Sequence, residues 1–203
     1  MKLYHSPASP FVRKVTVLLH ELGQSDAVTI EPVATTPLTP AAALTSGNPL
    51  SKLPALERDD GTSIYDSRVI CAFLNDHFKG GFYPQGASRW EVLTLEATGD
   101  GIMDAAVTMT YEGRLRPQAQ QSPEWIEAQW GKVSRAVAVL NNRWMGHLAG
   151  PLDIGHISVA CALAYLDFRH DARNWRAGND SLAAWFANFE SRPSMQATKP
   201  PAA

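Results

Sequence analysis

The sequence predicts an α/β half followed by an all-helical half, and three observations carry that prediction. Short strand-like apolar runs occur only in the first eighty or so residues. They alternate there with helix-spaced runs, in the order strand, helix, strand, helix, hairpin, helix. Beyond Pro84-Gln-Gly86 the apolar residues recur at helical spacing alone. A parallel strand pair extended by an antiparallel hairpin and covered by helices makes an α/β sandwich. The expected division is residues 1–79, a linker over 80–88 and a helical half over 89–203.

Leu3 and Tyr4 mark the first short strand, which runs into a turn rich in Ser and Pro. Val12, Val15, Leu18, Leu19 and Leu22 then recur at helical spacing. Ser9 stands as the N-cap of this helix, Pro10 fits its first position and Gly23 closes it. Residues 28–33 alternate as a second strand, and a Pro- and Thr-rich loop follows over 35–40. An Ala-rich segment ends at Gly47-Asn48-Pro49. Residues 54–57 and 62–65 flank Asp59-Asp-Gly61, a hairpin signal. A helix from Asp66 to about Phe78 sets Val69, Ile70, Phe73 and Leu74 on one face and stops at Gly80-Gly81.

In the second half, residues 89–115 read as one long helix that tolerates Gly99 and Gly101. Pro123-Glu-Trp125 opens another, expected to run to about His147. A third begins at Asp153, and Asp180-Ser-Leu182 opens a short one rich in Trp and Phe. Asp153-Ile-Gly-His156 reads as an N-capping box, with Leu152 and Ile157 set as a hydrophobic staple. His156 is therefore expected to be structural. The helix it opens is apolar on every side through Leu166, as a bundle core requires. The tail, residues 199–203, has no core-forming content.

Composition narrows the function classes. With 203 residues, 45% hydrophobic and 19% charged, the chain fits a soluble globular protein. A net charge of −2 offers no concentrated basic face for nucleic acid. The longest charge-free apolar stretch, residues 157–166, is about half a membrane span. No charged-then-apolar leader opens the sequence, and Cys71 and Cys161 sit in apolar helical patterns as inert thiols. A cytoplasmic location is expected. Six histidines without paired ligand spacing give no zinc site, and no metal is expected. The Ser and His spacings give no hydrolase triad.

Ser9 is the most informative single residue. Its hydroxyl is held where first-turn N–H groups and the positive end of the helix dipole converge, a position that suits an anion as well as a cap. Ser6 and His5 are its neighbours, but neither stands at the helix start.

Six segments, taken in order, resemble the soluble glutathione transferases, a thioredoxin-like domain followed by an all-helical domain. They are Ser9-Pro-Phe-Val-Arg-Lys-Val15, the run from Asn48 to Leu56, Tyr65-Asp-Ser-Arg-Val-Ile70, Asp100-Gly-Ile-Met-Asp104, the run from Ala160 to Arg169, and Arg192-Pro-Ser-Met195. The resemblance covers nearly the whole chain and is nearest to the bacterial group with this first-helix motif. It implies that Ser9 stabilises the thiolate of glutathione, the co-substrate. It also implies a cis bond between Leu53 and Pro54, leaving the Leu53 backbone to pair with the cysteinyl unit as a short extra strand. Asp66 and Ser67 would take the ammonium and carboxylate of the γ-glutamyl group, and Lys52 the glycyl carboxylate. Ser9-Pro-Phe-Val12 aligns with a Cys-Pro-Tyr-Cys redox motif lacking both sulfurs, which removes dithiol exchange at this position. Where the family carries Ser or Thr and then Asp in its capping box, this chain has Asp153 and His156.

A pocket for a small hydrophobic electrophile or peroxide is expected between the two halves. Phe11, Met103, Thr110, Tyr111 and Tyr165 are its candidates, with Phe11, Met103 and Tyr111 favoured. A homodimer is implied by the family. A binding protein without catalysis is the alternative, and a glutathione-dependent isomerase or dehalogenase shares the first site.

Overall fold

The computed structural model describes residues 1–201. In the first half, β1 (Lys2–His5) leads to α1 (Pro10–Glu21), then β2 (Thr29–Pro32) and the short α2 (Ala42–Thr45). β3 (Ala55–Glu57) and β4 (Ser63–Ile64) form the hairpin, and α3 (Ser67–His77) follows. The sheet order is β2-β1-β3-β4, parallel between β1 and β2 and antiparallel at the other two pairings. This is the thioredoxin-like arrangement, with α1 and α3 packed together. Their apolar faces supply Val12, Val15, Leu18, Ile70 and Leu74, all fully buried, as are Leu3 and Leu56 of the sheet.

The second half is helical throughout: α4 (Arg89–Leu115), α5 (Pro123–Arg143), α6 (Met145–Leu148), α7 (Ile154–His170) and α8 (Asp180–Glu190). α7 is the hub, and every residue from Ile154 to Leu166 is buried. α4 lies along it, and Gly99 is what allows the approach. A Cβ on Gly99 would stand 2.7 Å from the Ser158 carbonyl carbon and 2.8 Å from Val159 N. The Ser158 hydroxyl, 2.9 Å from Asp100 Oδ1 and 3.0 Å from the Glu96 carbonyl, ties the two helices at the same point.

Two features differ from expectation. The helix read as continuous from Pro123 to about His147 breaks at Trp144 (φ −108°, ψ −1°), whose departure from helical φ ends α5 and leaves α6 as a separate turn. The chain also returns: α9 (Pro193–Ala197) packs on α1. The contacts group residues 193–201 with Met1–Gln85, and Gly86–Arg192 forms the other unit. The reason is the burial of Met195, fully inaccessible, and the bond from Arg13 to its carbonyl at 2.9 Å. The expected range 89–203 for the helical half takes no account of this return. Residues 202–203 of the tail lie outside the described residues.

Cys71 and Cys161 are both buried thiols. No helix among the described residues is long and apolar enough to cross a membrane.

Candidate functional site

Strand register gathers the candidate residues at one end of the sheet. Tyr4 lies opposite Ala55, and Leu56 opposite Ile64. Continuing those two registers sets His5 level with Pro54, and Pro54 level with Asp66. The β1–α1 turn carrying Ser9, the Leu53-Pro54 corner and the start of α3 therefore share one edge. In open α/β sheets the ends of strands, where helices begin, are where ligands bind.

At the first of these positions Ser9 is the N-cap of α1, with extended backbone (φ −86°, ψ 121°). Its Oγ accepts the Val12 N–H at 3.3 Å, and its carbonyl accepts the Arg13 N–H at 3.0 Å. Pro10 has no N–H to satisfy. The Phe11 N–H has no protein acceptor among the described residues, so one first-turn donor stays available. The Ser9 hydroxyl uses its acceptor capacity on Val12 and keeps its own proton.

At the second, the Leu53–Pro54 bond is cis, as the resemblance implied. Neither the Leu53 N–H nor its carbonyl has a hydrogen-bond partner among the described residues. A residue that the sequence reading used only as a motif member controls this corner. Asn48 is 1% exposed; its amide donates to the Lys52 carbonyl at 2.8 Å, and its carbonyl oxygen accepts the Leu50 N–H at 3.0 Å. Asn48 thus folds the 48–52 loop against itself and sets the direction of Lys52, whose side chain is exposed.

At the third, Asp66 caps α3 through Oδ1, which accepts the Arg68 N–H at 3.0 Å. Ser67 is buried, yet its hydroxyl has no protein partner among the described residues. The helix N-terminus, one carboxylate oxygen and one hydroxyl stand together, a donor and acceptor set suited to an amino-acid head group.

The expected electrophile contacts lie in both units. Phe11 is half-buried in the first turn of α1. In the helical unit Met103 is fully buried and Tyr111 is 38% exposed. Thr110 and Tyr165 are committed to each other: the Tyr165 hydroxyl donates to Thr110 Oγ1 at 3.2 Å. Burial pushes the Tyr165 phenol above its ordinary value, against the opposing hydrogen bond with Thr110. His170 Nε2 donates to the Ala106 carbonyl at 2.9 Å, and burial holds its pKa below the ordinary value.

The capping box expected at Asp153 and His156 is present, with both reciprocal bonds formed. The structure adds His147, whose Nε2 stands 2.7 Å from Asp153 Oδ2, while His156 Nδ1 stands 2.8 Å from Oδ1. Burial pushes the Asp153 carboxyl up, but the hydrogen bonds and charge of His156, with the bond from His147, outweigh it and leave the pKa lowered. The ligand atoms of His147, Asp153 and His156 lie within 4.8 Å of one another, a set of donors that could hold a metal ion. Sequence spacing missed this grouping, because His147 reaches Asp153 across the turn between α6 and α7. The cap uses Asp153 Oδ1 and His156 Nδ1 already, which accounts for the set without a cation.

Comparison with known proteins places this geometry. Residues 8–77 match the glutathione S-transferase N-terminal domain, and residues 123–188 the glutathione S-transferase C-terminal domain. An uncharacterized GST-like protein of Escherichia coli, YibF, is 34% identical over the full length of both chains. A glutathione transferase family member from Pseudomonas fluorescens, solved with bound glutathione, is 48% identical with a TM-score of 0.97, covering 99% of each chain. A glutathione S-transferase from Methylobacillus flagellatus, also solved with glutathione, is 32% identical with a TM-score of 0.83, covering 98% of this chain and 99% of that one.

Proposed function

Because the chain belongs to the glutathione S-transferase family, we propose that it binds glutathione in its first unit and holds the sulfur as a thiolate on Ser9. One observation carries this reading: the Ser9 hydroxyl accepts the Val12 N–H at 3.3 Å and retains a proton to donate. The glutathione bound by the Pseudomonas and Methylobacillus relatives supports the choice of ligand.

The energetics are sufficient. A thiol of pKa about 8.5 is only a few per cent ionised at pH 7. Lowering it to about 6.5 takes roughly 2.7 kcal/mol of preferential stabilisation of the anion. A hydroxyl donating to a charged acceptor supplies about 1.5–3 kcal/mol, and a helix N-terminus about 0.3–1 kcal/mol more. The Leu53 backbone pairs with the cysteinyl unit, Lys52 meets the glycyl carboxylate, and Asp66 and Ser67 take the γ-glutamyl head group. The thiolate then attacks an electrophilic carbon of a small hydrophobic molecule, expelling a halide or adding across an activated double bond that takes up the proton, with Phe11, Met103 and Tyr111 as contacts. With a small peroxide it breaks the O–O bond and releases an alcohol, and a second glutathione converts the resulting sulfenic acid to glutathione disulfide and water. The protein acts in the cytoplasm as a homodimer, within the bacterial group that shares the Ser9-Pro-Phe-Val-Arg-Lys-Val15 helix start.

The test is Ser9→Ala. Titrating the ultraviolet absorbance of bound glutathione thiolate against pH is expected to show the thiol pKa rising towards its free value, with glutathione affinity retained. Turnover of aryl halides, hydroperoxides and quinones is expected to fall with it; unchanged turnover defeats the assignment. Wild-type protein that binds glutathione but turns over no member of that panel supports the non-catalytic alternative.

A further inference from the structure

Arg13 is 7% exposed, and its guanidinium meets only neutral acceptors: the Met195 carbonyl at 2.9 Å and Thr198 Oγ1 at 3.4 Å. No carboxylate among the described residues pairs with it. A guanidinium carries five N–H donors, so three are left over. A buried charge without a counter-charge is strongly unfavourable. The unmatched group borders a cavity.

That cavity, of about 310 Å³, lies wholly within the first unit, between β1, α1, β2 and the returning tail. Its volume is at the lower end of the roughly 300–1,000 Å³ range of small-molecule sites. Besides Arg13 its lining includes His5, His20 and Lys199, and no carboxylate at all. Leu19 and Ile30 give it an apolar wall, and Ile30 is 42% exposed. The His5 ring is half-buried and has no hydrogen-bond partner among the described residues. Burial holds its pKa below the ordinary value, which keeps the ring a neutral donor or acceptor at pH 7. Ser9, Lys52, Leu53, Pro54, Asp66 and Ser67 do not line it. The cavity shares none of these residues, although it reaches the β1–α1 turn at Ser6 and Pro7.

We propose that this cavity is a second ligand site, taking a small organic anion whose carboxylate or phosphate meets the Arg13 fork and whose apolar body lies on Leu19 and Ile30. The planar guanidinium matches either head group in a two-point contact. Lys199 in the tail adds attraction without a defined bond.

The experiment is a titration followed by two-dimensional amide NMR. Sodium hexanoate, n-hexyl phosphate and neutral hexan-1-ol are added separately to the full chain. Saturable shifts at the amides of His5, Thr16 and Thr198 are expected with the two anions and not with the alcohol at equal concentration. The tighter of the two anions identifies the head group. Arg13→Gln is expected to weaken anion binding at least about tenfold, the loss of a charge-assisted pair. Since Arg13 also holds the tail, Lys199→Gln serves as a second variant that leaves its bonds to Met195 and Thr198 in place. It is expected to weaken binding about two- to threefold by loss of rim attraction. Equal shifts with hexan-1-ol, shifts confined to residues around Ser9 and Asp66, or unchanged affinity in Arg13→Gln would each overturn the proposal.

Discussion

At Ser9 one oxygen caps α1 by accepting the Val12 N–H, and under the proposed function its own proton, a different hydrogen, goes to the thiolate. Removing it costs both. Ser9→Ala is expected to lower stability by about 0.5–2 kcal/mol as a lost cap, read by urea denaturation. Ser9→Thr keeps the hydroxyl and is expected to restore most of that loss. Histidine burial gives a second residue-scale prediction. Burial holds the pKa values of His5 and His170 below their ordinary value of 6.5. The unfolded chain therefore binds protons that the folded chain refuses, and stability contributed above pH 6.5 is lost as pH falls through that value. Urea midpoints at pH 7.5 and 5.5 are expected to show the decline, and His170→Gln to reduce it. Ser9 was legible in sequence because a Ser-Pro pair before a helical apolar run has one obvious geometry. Asn48 and His147 were not: the partners of both are set by loop paths, which no periodicity encodes.

Among the elements, α7 shows how a sequence reading and its tertiary setting divide. Its apolar perimeter and its Asp153 cap were both readable in advance. The carboxylate's two extra imidazole contacts were readable only in part. Asp153→Ala is expected to destabilise the protein by about 1–2 kcal/mol, the cap and one charge-assisted bond, measured as a shift in urea midpoint. The carboxyl's lowered pKa means that its contribution is present above the unfolded value of 3.8 and disappears as pH falls through the lower folded one. Gly99 in α4 is the opposite case. In sequence it looks like a tolerated weakness in a long helix, and propensity alone predicts that alanine improves it. The backbone atoms of Ser158 and Val159 at under 3 Å reverse that sign. Gly99→Ala is expected to cost about 1–3 kcal/mol by overpacking, and a raised melting temperature would contradict the close approach.

Over the whole molecule the notable event is the chain's return to its first unit after Arg192. Met195 is fully buried, and the Arg13 guanidinium reads its carbonyl. Met195→Ala is expected to cost about 2–5 kcal/mol. Truncation after Arg192 removes Met195, the Arg13 acceptors and one wall of the proposed anion cavity together. Helical periodicity assigned this segment to the second half, since the sequence shows a short helix next to other helices. Which core a helix joins depends on complementary surfaces far away in the chain, and local pattern is silent on that.

The sequence by itself determined the strand–helix order, the capped starts of α1, α3 and α7, and the serine at the first of them, because caps, turns and periodicity are short-range and chemically distinct. Only the tertiary structure decided that α9 belongs to the first unit, that Gly99 is a contact instead of a flaw, and that Arg13 is left without a carboxylate beside a cavity. Those depend on which atoms meet across long stretches of chain, and packing fixes them after every local preference has been met.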